Sequence, residues 1–185
     1  MCSIGGVFSK NGQDVYPFLL ELLFAQQHRG SDAFGISVGK AVVKSNELSG
    51  LRQKFLDGSF GLCHSLLSIT GRSVQPLCAQ NGAVNLVHNG QIYNFKQIGG
   101  KGLSNDSQSI INFLGPSPQK NVLPFFKKAV GSFAVGFSHG SCLYAFRDAV
   151  GVRPIWFGQN SEIFAFASEP NALKKLNISF PSPLF

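Results

Sequence analysis

Hydrophobic and polar positions along the chain predict helices and strands that come in separate blocks. Apolar residues recur at helical spacing after Asp14, which can cap a helix, and before Gly30, which can end it. In Phe133, Val135 and Phe137 the apolar residues alternate with smaller ones, which is typical of a strand. Applied along the chain, these rules predict strands over 4–8, 34–38, 41–43, 60–69, 83–87, 133–137, 142–146, 155–157 and 163–167, and helices over 14–27, 105–114, 119–130 and 169–176.

The grouping of these elements favours an α+β fold with largely antiparallel sheets. Residues 44–58 are polar and weakly periodic, and we interpret them as a loop that contains at most a short helix. A chain of 185 residues can bury one sizeable core, and no linker or repeat divides it. We therefore expect a single domain over residues 1–185.

The start of the chain carries the first candidate for chemistry. Cys2 follows the initiator Met1, so removal of Met1 would give one residue that carries both a thiol and a free α-amino group. The reference pKa values are about 8.5 for the thiol and 7.7–8.0 for the amine, so the amine can act as a base for the thiol. Gly5 and Gly6 lie within an apolar run and indicate a buried strand with a close backbone approach. The alternative is a Cys that only packs as a small apolar side chain.

Composition restricts the classes of function. Hydrophobic residues make up 44% of the chain and charged residues 14%, against about 25% in a typical globular protein. A surface with so little charge favours a partner subunit. The net charge of +7 is spread over scattered Lys and Arg residues with no dense basic run, so we expect no nucleic-acid partner.

The four cysteines have no C-x-x-C spacing, and the chain shows no secretory signal and no apolar run long enough for a membrane helix. We therefore expect a cytoplasmic protein without a membrane partner, in which a free thiol persists. The glycine-rich stretch at 99–102 is no phosphate-binding loop, because no Lys-Ser/Thr pair follows it. We expect no cofactor and no metal site.

Two local signals accompany the periodic pattern. Asn89-Gly90 follows the apolar run 83–87 and is a strong signal for a hairpin or tight turn. Asn105-Asp106 precedes a helical apolar pattern and predicts a helix cap.

After Met1-Cys2, five stretches follow one another in an order that resembles one family. They are Gln27-His28-Arg29-Gly30-Ser31-Asp32-Ala33-Phe34-Gly35, His88-Asn89-Gly90-Gln91-Ile92-Tyr93-Asn94, Asn105-Asp106, Arg147-Asp148-Ala149-Val150-Gly151-Val152-Arg153-Pro154 and Phe166-Ala167-Ser168-Glu169. Together they resemble the class II glutamine amidotransferase domain, an N-terminal nucleophile hydrolase. The glutaminase parts of asparagine synthetase and amidophosphoribosyltransferase are similar.

The resemblance implies a four-layer αββα sandwich and a set of site residues. Cys2 would attack the side-chain amide of glutamine with its own α-amino group as proton shuttle, and water would release glutamate from the thioester. Asn89 and Gly90 would donate hydrogen bonds to the oxyanion, and Asp106 would bind the substrate's α-amino group. The resemblance also implies that Arg29, Asp148 and Arg153 hold loops.

The chain departs from the family pattern at two positions. Leu66 stands where the family has an Arg that binds the α-carboxylate, and Gln91 stands where a Glu often follows Asn-Gly. A lost charge-assisted pair is worth about 1.5–3 kcal/mol, or roughly 10- to 150-fold in affinity. Either Arg72 supplies the missing cation, or the substrate is not free glutamine.

Three functions remain open from the sequence. The first is a standalone glutaminase subunit that passes ammonia to a separate synthetase or transferase subunit. The second is a regulatory binding domain that has lost catalysis, which Leu66 favours and the intact Cys2, Asn89, Gly90 and Asp106 oppose. The third is an amidohydrolase for a related amide.

Overall fold

The architecture comes from a computed structural model that describes residues 1–69, 73–100, 102–103 and 105–184. The strands are β1 Ser3–Ser9, β2 Ala33–Val38, β3 Ala41–Ser45, β4 Phe60–Leu66, β5 Leu77–Ala79, β6 Val84–Ile92, β7 Gly131–His139, β8 Cys142–Arg147, β9 Trp156–Gln159, β10 Ile163–Ala167 and β11 Ser182–Pro183. The helices are α1 Tyr16–Gln26, α2 Leu48–Arg52, α3 Phe95–Ile98, α4 Asp106–Leu114, α5 Pro118–Lys128 and α6 Pro170–Lys175, with a 3-10 turn over Gln27–Arg29.

The strands form two antiparallel sheets. The first sheet has the order β11-β9-β10-β1-β4-β2-β3, and the second has the order β5-β6-β7-β8. In the first sheet β1 pairs with β10 on one edge and with β4 on the other. The chain therefore begins in the interior of a sheet, where both edges of the strand are hydrogen-bonded.

Helices cover the outer face of each sheet. Helices α1, α2 and α6 pack on the first sheet around a core that includes Leu22, Ile36 and Leu173. Helices α4 and α5 pack on the second sheet, where Phe125 makes edge-to-face contacts with Phe133 and Phe146. The result is the four-layer αββα sandwich that the resemblance implied. No helix within the described residues is long and apolar enough to span a membrane.

A third apolar cluster fills the space between the two sheets, and Phe166 lies at its centre. The Phe166 ring lies against Gly6 of β1 and Gly136 of β7, so that a Cβ atom at either glycine would overlap the ring. The close approach predicted at Gly5-Gly6 is confirmed, since a Cβ at Gly5 would lie 2.9 Å from Cys63 Sγ. The missing side chains of Gly6 and Gly136 bring β1 close to the opposite sheet.

The local predictions hold for most elements, and one of them is wrong. Asn89-Gly90 is no turn, because β6 continues through both residues to Ile92 and pairs with β7 along its whole length. Gly90 has φ +136 and a Cβ there would overlap the Ser132 carbonyl oxygen. The glycine is needed for this backbone conformation inside a strand, not for a reversal of the chain.

Smaller differences lie at the ends of elements and in short pieces. The strand predicted over 60–69 ends at Leu66, and the loop over 44–58 contains the five-residue helix α2. The predicted cap of α4 is confirmed, because Asn105 Oδ1 accepts a hydrogen bond from Gln108 N at 2.8 Å. The strands β5 and β11 and the single-turn helix α3 were not predicted, since each is too short to show a period.

Replacing Phe166 by Ala should lower the free energy of unfolding by about 3–5 kcal/mol, because the cavity lies between two glycines that cannot fill it. Urea unfolding measures the change. The matched control is Phe180→Ala, whose side chain is 91% exposed and whose loss should cost less than about 0.5 kcal/mol. Equal losses in the two variants would contradict the packing described here.

Candidate active site

The alternation of side chains along β1 and β6 places two predicted site residues on facing walls. Ile4 of β1 and Val87 of β6 both belong to the cluster between the sheets. Cys2 lies two residues before Ile4, and Asn89 lies two residues after Val87, so both side chains share that inner face. Both residues line one cavity of about 530 Å³.

The other predicted residues meet at the same cavity. Its lining includes Gly90, Gln91 and Asp106 as well as Leu66, which faces the space from β4. Residue 72 lies outside the described residues, so the prediction for Arg72 stays untested. The full lining within the described residues is Met1, Cys2, Leu66, Leu67, Ile69, Ser73, Gln75, His88, Asn89, Gly90, Gln91, Asn105, Asp106, Ser107 and Arg153.

Several contacts hold the start of the chain at the cavity. The Cys2 carbonyl oxygen accepts a hydrogen bond from Arg29 Nε at 3.1 Å, and Arg29 Nη1 pairs with Glu169 at 2.8 Å. The Ser168 hydroxyl oxygen accepts a hydrogen bond from Ile4 N at 3.0 Å. Arg29, which the resemblance implied to hold a loop, therefore binds the backbone of Cys2, and Glu169 holds the Arg29 side chain.

The Cys2 thiol is half-buried beside the end of β4. Its Sγ accepts a hydrogen bond from Leu67 N at 3.4 Å and lies 3.7 Å from Leu67 O. Burial raises the pKa of the Cys2 thiol, although the Leu67 N–H, the positive chain terminus, Arg153 and Arg29 act in the opposite direction. Thiolate is therefore scarce at neutral pH unless a base lies close to the sulfur.

The wall opposite Cys2 presents hydrogen-bond donors and a carboxylate. Asn89 Nδ2 is buried and has no hydrogen-bond partner among the described residues. Asp106 Oδ2 accepts a hydrogen bond from Ile92 N at 3.0 Å, which ties the first residue of α4 to the end of β6. A buried amide donor without a protein partner is costly unless a water molecule or a ligand satisfies it, and Asn89 Nδ2 is such a donor at the cavity wall.

A buried polar network under this wall was missed by the sequence analysis. The side chain of Gln75 accepts from His88 N at 2.5 Å and donates to His88 O at 3.3 Å and to Ser107 Oγ at 3.2 Å. His88 Nδ1 lies 2.9 Å from Ser107 Oγ, and burial lowers the pKa of His88, which keeps the ring neutral. In the sequence, His88 is next to Asn89 and Ser107 is next to Asp106, which could have pointed to both residues. No local pattern marks Gln75 as part of the network.

The turn after β8 is held by one carboxylate. Asp148 accepts hydrogen bonds from the backbone N–H groups of Phe133 and of residues 150–153 at 2.7–3.5 Å. Burial alone would raise the pKa of Asp148, but these donors outweigh it and the pKa lies below its usual range. The turn delivers Arg153 to the cavity wall.

An αββα sandwich whose first strand leads directly from the candidate-site cavity is the architecture of the N-terminal nucleophile hydrolases. The glutamine amidotransferase domain family matches residues 1–181, and the chain belongs to this family. Among the described residues no cluster of three His, Cys, Asp or Glu side chains could hold a metal ion.

Relatives and solved structures agree with this family. An asparagine synthetase (glutamine-hydrolyzing) of Methanocaldococcus jannaschii is 28% identical over 97% of this chain and 34% of the relative. An amidophosphoribosyltransferase of Mycobacterium tuberculosis is 29% identical over 97% of this chain and 40% of the relative. The chain thus spans less than half the length of these relatives.

The structure of the B. subtilis glutamine phosphoribosylpyrophosphate amidotransferase has the same fold, with a TM-score of 0.79 at 20% identity. The match covers 99% of this chain and 44% of that one. A second structure, described as the allosteric regulatory enzyme of purine biosynthesis, gives a TM-score of 0.81 at 20% identity and the same coverage.

Replacing Asp148 by Asn should lower the free energy of unfolding by about 2–3 kcal/mol at pH 7. Both carboxylate oxygens accept from backbone N–H groups, whereas an Asn side chain has one acceptor oxygen and an NH2 group that cannot accept. A lowered pKa stabilises the fold above the unfolded pKa of about 3.9, and this contribution is lost as the pH falls further. The difference between wild type and Asp148→Asn should therefore shrink below about pH 4. Urea unfolding at pH 7 and pH 3 measures it, with the exposed Asp57→Asn as control, and a difference that does not depend on pH would contradict the assignment.

Proposed function

We propose that this domain hydrolyses the side-chain amide of glutamine, with Cys2 as the nucleophile. The observation that carries the proposal is the arrangement of Cys2 and Asn89 on facing walls of one cavity, with the Asn89 amide donor unpartnered. Membership of the glutamine amidotransferase family supports the reaction class.

The mechanism requires that the Met1–Cys2 peptide bond is hydrolysed before catalysis, since the Cys2 nitrogen is otherwise an amide nitrogen and not a free amine. Burial raises the pKa of the thiol, so an internal base is required, and the liberated α-amino group has a reference pKa of about 7.7–8.0. The amine takes the thiol proton, and the sulfur attacks the amide carbon. The paired strand β1 follows Cys2 directly, and Arg29 Nε donates to the Cys2 carbonyl oxygen, so the backbone of Cys2 is held at the cavity.

The tetrahedral intermediate carries a negative oxygen that needs donors. Asn89 Nδ2 and the Gly90 N–H are the donors in this proposal. The carbon–nitrogen bond then breaks, the α-ammonium gives its proton to the leaving nitrogen, and ammonia departs. Water, deprotonated by the same amine, hydrolyses the thioester and releases glutamate with Cys2 restored.

The substrate's amino end would bind at the far side of the cavity. Asp106 is the acceptor for the α-ammonium group, with its carboxyl held by Ile92 N, and Gln91 lies beside it as a second polar contact. Arg72 stays a candidate for the α-carboxylate. The ammonia would pass to a synthetase or transferase partner, and a separate subunit with that activity remains a prediction, as does a single domain over 1–185.

Protein that lacks Met1 should release ammonia from glutamine, and Cys2→Ala should reduce this release to the background of the assay, because no other group in the proposal forms the thioester. The control is Cys142→Ala, whose thiol is exposed and outside the cavity. A binding domain without catalysis would show no difference between wild type and Cys2→Ala. An amidohydrolase for another substrate would show the difference only with a different amide in a substrate panel.

Asn89→Ala should lower kcat by about 10²–10³-fold, because one oxyanion donor is lost. KM should change far less, since the donor acts on charge that develops in the transition state. Steady-state kinetics separates the two constants, and a thermal unfolding curve confirms that the variant is folded. A variant with normal kcat would remove Asn89 from the mechanism.

A further inference from the structure

The substrate proposed above carries an α-carboxylate, and the predicted site residues that the structure describes at the cavity offer it no cation. Leu66 faces the space from β4 and offers no charge to a carboxylate. Asp106 suits the ammonium end of an amino acid but would repel its carboxylate. Within the described lining, Arg153 is the residue with a cationic side chain.

Among the described residues, no carboxylate pairs with the Arg153 guanidinium. Its Nε is buried without a hydrogen-bond partner among the described residues, and its Nη1 lies 2.6 Å from Met1 Sδ. A thioether is a weak acceptor and carries no charge. The N–H donors of the guanidinium can therefore form paired hydrogen bonds with a planar anion such as a carboxylate.

The same guanidinium lies close to the reacting end of the cavity. Its charge opposes the larger effect of burial, which raises the pKa of the Cys2 thiol, and it adds to burial in lowering the pKa of His88. A glutamine side chain is short, so a group near Cys2 can also reach the other end of the substrate. Arg153 Nη1 contacts the side chain of Met1, so removal of Met1 would free both the Cys2 amine and Arg153 Nη1 for the substrate.

The backbone under Arg153 is rigid. Asp148 accepts from Arg153 N at 3.5 Å and from the N–H groups of residues 150–152 at 2.7–3.2 Å. Arg147 Nη1 donates to Asp148 O at 2.9 Å and holds the same turn from the other side. The guanidinium is therefore presented from a fixed turn, which reduces the entropy lost when it binds an anion.

We propose that Arg153 binds the α-carboxylate of the substrate and thereby replaces the cation that Leu66 does not supply. The proposal rests on the function proposed above. It defines the substrate as an α-amino acid with a side-chain amide, held between Arg153 and Asp106. It also gives Arg153 a role beyond that of holding a loop, which was the role implied by the sequence.

The test is a comparison of two amides that differ by the carboxylate alone. Ammonia release from L-glutamine and from 4-aminobutanamide is measured with wild type, Arg153→Gln and Arg72→Gln. The control is Arg52→Gln, because the Arg52 side chain lies over the Phe24 ring and outside the cavity. Arg153→Gln should raise KM for glutamine by about 10- to 150-fold. Any effect of the lost charge on the Cys2 thiol is common to both amides, so the ratio of kcat/KM for glutamine to that for 4-aminobutanamide should fall by the same roughly 10- to 150-fold.

A restoring variant separates recognition from structure. Leu66→Arg in the Arg153→Gln background should recover most of the affinity for glutamine, since it returns a cation to the same cavity. Equal losses for both amides, no loss in Arg153→Gln, or a carboxylate-selective loss in Arg72→Gln instead would each overturn the proposal.

A binding measurement tests the contact between Arg153 and the α-carboxylate separately from the glutaminase activity. Glutamine is titrated calorimetrically into Cys2→Ala and into Cys2→Ala with Arg153→Gln, so that no turnover is required. A weaker Kd by the same 10- to 150-fold supports the carboxylate contact even if wild type releases no ammonia. Equal Kd values overturn the contact even if wild type is an active glutaminase.

Discussion

The arrangement of the cavity depends on the pairing of β1 along both of its edges. Most chain termini are mobile, whereas this one is hydrogen-bonded to β10 on one side and to β4 on the other. The Arg29 contact with the Cys2 carbonyl oxygen and the Ser168 contact with Ile4 N extend this fixation to the first residues. The residue next to the initiator Met is consequently tied to the end of a strand that is paired on both edges from Gly5 onward.

The second sheet forms the cavity wall that faces the Cys2 thiol, and it carries Asn89 and Gly90. Glycines at positions 6 and 136 admit the Phe166 ring between the sheets, and this packing sets how closely β1 and β7 approach. Gly90 then takes a backbone conformation with φ +136 inside β6, at the point where the strand borders the cavity. The polar network of Gln75, His88 and Ser107 lies beneath that point and satisfies groups that would otherwise be buried without partners.

Local patterns were sufficient for much of the fold, and the short motifs named candidate site residues that the structure brings to one cavity. The helical period of α4 and its Asn105 cap are readable from a few neighbouring residues, as is the alternation in β7. Cys2, Asn89 and Asp106 were identified because each belongs to a short motif whose order along the chain resembles a family, and all three line one cavity.

The rest depends on contacts between distant segments, which no local pattern contains. Asn89-Gly90 carried a turn signal because a glycine with positive φ is common in turns, but pairing with β7 keeps the segment extended. The Leu67 N–H at the thiol and the Gln75 side chain at His88 come from loops that other elements bring into place. The orientation of Arg153 follows from the hydrogen bonds of Asp148, not from the motif that contains both residues.

The central claim is that Cys2 becomes the first residue and forms a covalent bond with the substrate. Protein mixed with glutamine, quenched in acid during turnover and measured by intact and peptide mass spectrometry tests this claim most directly. The account predicts a chain without Met1 that carries a glutamyl group on the sulfur of Cys2. Ammonia release by a chain that still carries Met1, or a glutamyl group on another residue, would contradict it.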